Sequence, residues 1–372
     1  MSTSPILFGR VVVKVGSSVL TDSSGRADVA CLTRLADEMA TAIRAHHEII
    51  LVSSGAVACG MSKLGLRLRP KDIAQLQACA AIGQGELMRL YSHAFGARDL
   101  VVAQVLLTQA DLADPIRYRN ASKTFKTLLQ HHVVPIVNEN DTVAVDEITF
   151  GDNDRLAALV ACEVSAQLLI LLSDVDGLME HGQLIERIDQ LNHAHRALAL
   201  CSSRETSVGG MASKLAAARI VRHAGIPMVI ANGRREGVLQ ELLAGKPLGT
   251  LMTPPQTRLA FRKWWLAFAM RKPSGAVVID AGAVEALIQR RKSLLASGVR
   301  DVQGRFHAGD AIRILDADHA EIARGIANFS SSELSQIQGL RSDQLTEALG
   351  RKPAKTEVVH RDQLVLTHEL EG

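Results

Sequence analysis

Aromatic residues are scarce: they make up 3% of 372 residues, with two tryptophans and two tyrosines. A core must then be filled by Val, Leu, Ile and Ala, which suits an α/β sheet covered on both faces. Long apolar runs are missing as well. Nothing approaches the roughly 18 residues of a membrane span. Met1–Arg10 lacks a basic start followed by a long apolar stretch, so no secretory leader is expected. The cysteines, Cys31, Cys59, Cys79, Cys162 and Cys201, are odd in number and contain no C-x-x-C pair. They read as reduced thiols of a cytoplasmic protein, not as a disulfide frame or zinc site. Charge of one sign is lacking too, the net value being +3. That excess lies from Arg258 onward, where 17 Lys/Arg meet 14 Asp/Glu, and it is too slight to identify an anionic partner.

What is present is length and pattern. A chain of 372 residues suggests two domains. Apolar runs at 11–15, 49–52, 100–107, 133–137, 167–172 and 227–231 read as strands. Helical periodicity at 28–45, 72–96, 115–131 and 212–224 alternates with them, a hairpin arm fits 143–150, and a helix is expected to begin near Asp152. Such alternation predicts a mostly parallel, three-layer αβα sandwich over residues 1–257. Residues 258–274 hold prolines, basic residues and both tryptophans, and read as a linker. Short strands broken by Gly, Asp and Ser at 276–279, 311–315, 320–327 and 356–359 predict a small β-rich domain over 275–358, with a tail at 359–372.

Four expected strands run straight into polar turns, and ligands collect at the carboxyl ends of strands in open α/β sheets. These ends carry Lys14 with Gly16-Ser17-Ser18, Ser54-Gly55, Asn138 with Asp141, and Ser173-Asp174. Lys14 interrupts the apolar run VVVKV, either snorkelling to the strand end or meeting an anion. The amides after Gly16 and Gly55 suit phosphate or carboxylate groups. Lys214 falls in the first turn of a helix entered through Gly209-Gly210, against the helix dipole. It is either a solvated side chain or the partner of an anion held there. Asp152-Asn153-Asp154 open a helix, as caps or as more. Asp154 is placed to hold two lysines and Asn153 to donate to a substrate.

Several familiar signatures are absent. There is no P-loop, no full kinase catalytic-loop motif H-R-D-x-x-x-x-N, no D-F-G, and no Ser-His-Asp arrangement. Two lysines, amides and carboxamides without a nucleophile or base suit phosphoryl transfer, in which alignment and charge stabilisation dominate. An acceptor carboxylate is already ionised at neutral pH and needs no base.

The stretches VVVKVGSSVLT (11–21), ILVSSGAVACG (50–60), PIVNENDTVAV (135–145), FGDNDRLAALVA (150–161), LLSDVDGLM (171–179) and VGGMASKLAAA (208–218) resemble the amino acid kinase family. The NENDTV and FGDND pair resembles, within it, the members that phosphorylate the side-chain carboxylate of L-glutamate. Residues 275–358, through VVIDAGAVEALI and GRFHAGDAIRI, resemble a PUA domain, a module known from RNA-modifying enzymes. The resemblance implies that Lys14 and Lys214 stabilise the transferring phosphoryl group and that Asp154 orients them. It implies glutamate held by Ser54, Asp141 and Asn153, with Asn138 nearby. Ser173, Asp174 and the loop Val208, Gly209, Gly210, Met211, Ala212, Ser213 and Lys214 would bind ATP, with Mg²⁺ on its phosphates. It further implies γ-glutamyl phosphate as product, at the first step of proline biosynthesis. Proline as feedback inhibitor, a homodimer or homotetramer, and coupling to glutamyl phosphate reductase also follow from it. Ala212-Ser213 departs from the more usual Ser-Thr, a change expected to leave backbone contacts intact. Two rivals remain: another carboxylate kinase of this fold, or an RNA-binding protein working through its PUA domain.

Overall fold

The structure is a computed structural model. It describes residues 9–22, 25–144, 153–192, 194–195, 197–198, 210–256, 259–269 and 273–367. The chain divides into two compact units, Met1–Arg258 and Leu259–Gly372.

In the first unit the elements follow in the order β1 (Arg10–Val15), α1 (Ser17–Leu20), α2 (Val29–Arg44), β2 (Glu48–Ser53), α3 (Ala56–Lys63), α4 (Ile73–Gly96), β3 (Val102–Leu107), α5 (Gln109–Ala113), α6 (Pro115–Gln130) and β4 (Val134–Glu139). There follow α7 (Asn153–Glu163), β5 (Leu168–Ser173), the short strands β6 (Met179–Glu180), β7 (Gln183–Leu184) and β8 (Arg187–Ile188), then α8 (Met211–His223), β9 (Met228–Asn232), α9 (Val238–Leu243) and β10 (Thr250–Met252). One eight-stranded sheet runs β3-β4-β2-β1-β5-β9-β10-β8. All its pairings are parallel except β10 on β9. The central strand β1 registers Lys14 against Val52 on one side and Leu171 on the other.

Strand periodicity sorts the side chains into layers. Val11, Val13 and Val15 pack with apolar residues of α2, α4 and α9. Val12 and Lys14 point the opposite way, toward the face on which Lys14 meets α7. Both faces being covered, the inner strands read as unbroken apolar runs. Local signals set the helix starts: Asp28 caps α2, Asp72 caps α4, and Asp114 with Pro115 begins α6. Helices α3 and α4 touch backbone to backbone. A Cβ on Gly60 would lie 1.8 Å from the Cys79 carbonyl oxygen, and one on Gly83 would lie 1.8 Å from that of Ala56. Cys31, Cys59, Cys79 and Cys162 are free thiols, while Cys201 lies outside the described residues. No described helix is long and apolar enough to cross a membrane.

Two buried glutamates of this unit differ sharply. Glu38 accepts from the Gly237 and Leu239 amides and pairs with Arg34. Glu163, at the C-terminal end of α7, has no hydrogen-bond partner for either oxygen among the described residues. Burial pushes its carboxyl up to about 8. The unfolded chain releases this proton near the ordinary value of 4.5, whereas the fold keeps it to about 8. The folded state therefore binds more protons in that window, and stability declines as pH rises through it. Glu163→Gln removes the slope. Urea unfolding should show little gain at pH 5 and a gain on the order of 4 kcal/mol at pH 9. A gain independent of pH would refute this account.

The second unit holds a five-stranded sheet of β11 (Gly275–Ile279), β13 (Val299–Gly304), β14 (Ala311–Leu315), β15 (Glu321–Ile326) and β17 (Leu364–Leu366), in the order β13-β11-β14-β15-β17. A separate pair joins β12 (Leu294–Leu295) to β16 (Glu357–Val359). Helices α10 (Ala281–Ile288), α11 (Ser331–Ile337) and α12 (Leu345–Leu349) complete it, around a core that includes Val277, Ile312, Phe329, Leu334 and Val358. Residues 261–269, within the stretch expected as a linker, are helical, and Trp264 is buried.

Candidate active site

The carboxyl ends of the parallel strands bring most of the expected residues to one edge of the sheet. β1 delivers Lys14, β2 is followed by Ser54, β4 ends at Asn138 and Glu139, and β5 ends at Ser173. Two helices begin at the same edge: α7 with Asn153 and Asp154, and α8 behind the N-cap Gly210.

At the centre is a buried triad. Lys14 Nζ lies 2.6 Å from Asp154 Oδ1 and Lys214 Nζ lies 3.2 Å from Asp154 Oδ2. Ser213 Oγ donates to the same Oδ2 at 2.8 Å. Lys14, Asp154 and Lys214 are 6%, 1% and 5% exposed, so water screens none of them well. Burial alone would raise the Asp154 carboxyl. The Lys14 and Lys214 ammonium groups, with hydrogen bonds from Lys14 and Ser213, overcome that and hold it down at about 2. Two cations share one anion, leaving a net charge of +1 in a low-dielectric pocket. Both α7 and α8 also point their positive ends here. This arrangement suits an anionic ligand.

Beside the triad runs a chain of carboxamides. Asn153 Nδ2 donates to Ser53 O at 2.9 Å, to Ser54 Oγ at 2.9 Å and to Asn138 Oδ1 at 3.0 Å. Asn138 Nδ2 donates to Gln84 Oε1 at 2.8 Å. Ser53 Oγ pairs with Tyr91 Oη at 2.9 Å, which ties β2 to α4 below the site.

The expected nucleotide residues are partly gathered. Ser173 Oγ donates to Asp174 Oδ1 at 3.1 Å at the end of β5, which neighbours β1. Gly210, Met211, Ala212, Ser213 and Lys214 form the start of α8. Val208 and Gly209 lie outside the described residues, as do Asp152 and the 145–150 part of the expected hairpin arm. Asp141 follows β4 in a turn and is half-buried. Of the amides expected to face an anion, only that of Gly16 is seen to be taken, by Leu172 O at 3.0 Å; the Ser54 amide, next to Gly55, pairs with Val15 O at 3.2 Å. Those two N–H groups stitch strands together and are not offered to a ligand. Ser213 contributes more than the expected backbone contact. Its hydroxyl, not only its backbone, belongs to the site.

Gln84 had no sequence signal. It is a lone glutamine on a long helix, and only the fold places it against Asn138. Among the described residues no three His, Cys, Asp or Glu side chains gather into a metal cage.

Comparison with known proteins identifies the family. Residues 9–232 match the amino acid kinase family and residues 275–349 match the PUA domain. Glutamate 5-kinase from Geobacter sp. (strain M21) is 45% identical over 364 residues, covering 96% of this chain and 97% of the relative. Glutamate 5-kinase from Synechococcus sp. (strain JA-3-3Ab) is 45% identical over 367 residues, covering 96% and 98%. A solved UMP kinase from Bacillus anthracis is 15% identical, with a TM-score of 0.44 over 66% of this chain and 96% of that one. At that distance the likeness says nothing about the acceptor.

Proposed function

The chain belongs to the amino acid kinase family, among the glutamate 5-kinases, and from that premise we propose how its site transfers the γ-phosphoryl group of ATP to the side-chain carboxylate of L-glutamate. The product is γ-glutamyl 5-phosphate, which opens proline biosynthesis. The observation that carries the proposal is the Lys14–Asp154–Lys214 triad beside the Asn153–Asn138 carboxamides.

The two reactants are both anions and repel one another. The +1 triad offsets that repulsion where they meet. Lys14 and Lys214 hold the γ-phosphoryl oxygens, and Asp154 fixes both ammonium groups so that little reorganisation accompanies transfer. A glutamate carboxylate oxygen attacks the γ-phosphorus in line, the bond to the β-phosphate bridging oxygen breaks, and ADP leaves. No proton moves, because the acceptor is already ionised. Ser54, Asn138, Asp141 and Asn153 hold the acceptor. Ser173, Asp174 and the Val208–Lys214 loop hold ATP. A bound Mg²⁺ would supply charge neutralisation of the ATP phosphates. Both Asp154 oxygens face lysines, and the described residues offer no cage, so the ion fits as one carried on ATP.

We assign the kinase chemistry to residues 1–257 and a PUA role to 275–358; the expected tail 359–372 adds β17 to that unit's sheet, and the expected linker 258–274 is helical over 261–269. Exposed Leu64, Leu66, Leu68, Ile73 and Ile82 support self-association into a homodimer or homotetramer. The product is a labile acyl phosphate, which supports coupling to glutamyl phosphate reductase. Proline as an end-product inhibitor rests on the family alone. Free thiols and the use of ATP support a cytoplasmic setting.

Incubation with ATP, Mg²⁺, L-glutamate and hydroxylamine should yield glutamyl hydroxamate in step with ADP. Turnover with aspartate but not glutamate would keep the fold and overturn the acceptor.

A further inference from the structure

Two buried carboxamide atoms of the site have no hydrogen-bond partner among the described residues, and they end the same hydrogen-bonded chain: Asn153 Oδ1 and Gln84 Nε2. The polarity of that chain is fixed by backbone groups. The Ser53 carbonyl can only accept, so the Asn153 atom facing it is nitrogen. The Glu139 amide can only donate, so the Asn138 atom 2.9 Å from it is oxygen. The Asn138 nitrogen therefore faces Gln84, whose oxygen must receive it. The open ends are thus an acceptor on Asn153 and a donor on Gln84. An unpaired buried polar group is costly. Two in one site call for a ligand that completes them.

A free amino acid offers the complement, a cationic ammonium and an anionic carboxylate. The chain leads away from the triad: Asn153 adjoins Asp154, Asn138 follows, and Gln84 is the far member. An acceptor whose side-chain carboxylate reaches the lysines presents its other end in that direction. Gln84 is also rigidly placed. It follows Gly83, where α4 lies against the α3 backbone with no room for a Cβ.

We infer that Gln84 Nε2 donates a hydrogen bond to the α-carboxylate of the acceptor, making Gln84 a specificity-determining residue. This rests on the glutamate kinase reading above and deepens it.

Gln84→Glu is the sharpest test. It preserves the oxygen that receives Asn138 Nδ2 and turns only the opposite atom from donor to anion. At pH 8 the KM for L-glutamate should rise at least 10-fold, with the KM for ATP within twofold of the parent. The KM for glutamate should recover as pH falls, because a protonated carboxyl again donates; a merely structural role predicts no such trend. Gln84→Met, similar in size and without a donor, should raise the same KM 10- to 100-fold and show no pH recovery. Thermal unfolding of both variants reports whether the fold is intact. A folded variant with an unchanged KM for glutamate, or with equal rises for glutamate and ATP, overturns the inference and leaves Gln84 Nε2 as a water site. If the parent protein itself fails to phosphorylate glutamate, the functional reading falls and the inference falls with it.

Discussion

Asp154→Asn should lower kcat by about 10²–10³-fold while leaving the KM for ATP within about threefold. The substitution keeps the volume and removes the one anion between two lysines. The pocket charge rises from +1 to +2, so attraction for phosphate persists. What is lost is the fixed aim of Lys14 and Lys214, each now facing a neutral amide. Stability should fall as well, because two buried ammonium groups lose their counter-ion. The pH dependence identifies the cause. The Asp154 carboxyl sits at about 2 in the fold, against an ordinary 3.8. A depressed carboxylate stabilises the fold above its unfolded value, and that contribution disappears as pH falls from about 4 toward 2. Urea unfolding should therefore give a parent-to-variant gap of about 2–3 kcal/mol at pH 7 that narrows toward pH 3. A gap that stays constant with pH, or a variant losing only ATP affinity, would sink the triad as described.

Much of this architecture was legible because buried parallel strands leave a plain record. VVVKV, IILV and QLLILL read as strands without alternation, and Asp28, Asp72 and Asp114 mark helix starts. The residues of the triad could be named for the same reason, since each closes an apolar strand or opens a helix. Their convergence could not be measured from spacing. Lys14 and Asp154 meet only because α7 packs over β1. Helix α3 left little trace, being short and interrupted by Gly60, whose close contact with the Cys79 carbonyl is its reason for being there. Strand β10 is three residues long and antiparallel to β9, too brief for any periodicity to show. The Gly16 amide misled because a glycine after a strand offers an N–H whether or not the sheet has already taken it. Gln84 was invisible because a helix periodicity identifies its buried face, not which polar residue on that face meets Asn138.

Lys214→Met should cost most of the rate and little of the binding. Methionine nearly fills the space of the lysine stem, so the start of α8 keeps its packing while the charge is removed. In the proposed ground state Lys14 and the backbone at the start of α8 would still hold the ATP phosphates. Charge shifts on the γ-phosphoryl oxygens and toward the leaving bridge only during transfer, and there the Lys214 ammonium contributes most. The expected result is a kcat reduced by about 10²–10³-fold with both KM values within about threefold. Asp154 would then pair with Lys14 alone, and the pocket would drop from +1 to neutral. Neutrality should not unfold the protein, since the remaining pair is self-compensating, and the thermal midpoint should move by only a few degrees. Steady-state kinetics over both substrates, beside a thermal scan, decides the matter. A large rise in the KM for ATP with kcat intact would make Lys214 a docking group for the ground state. It would also leave Lys14 as the lysine that acts in the transfer itself.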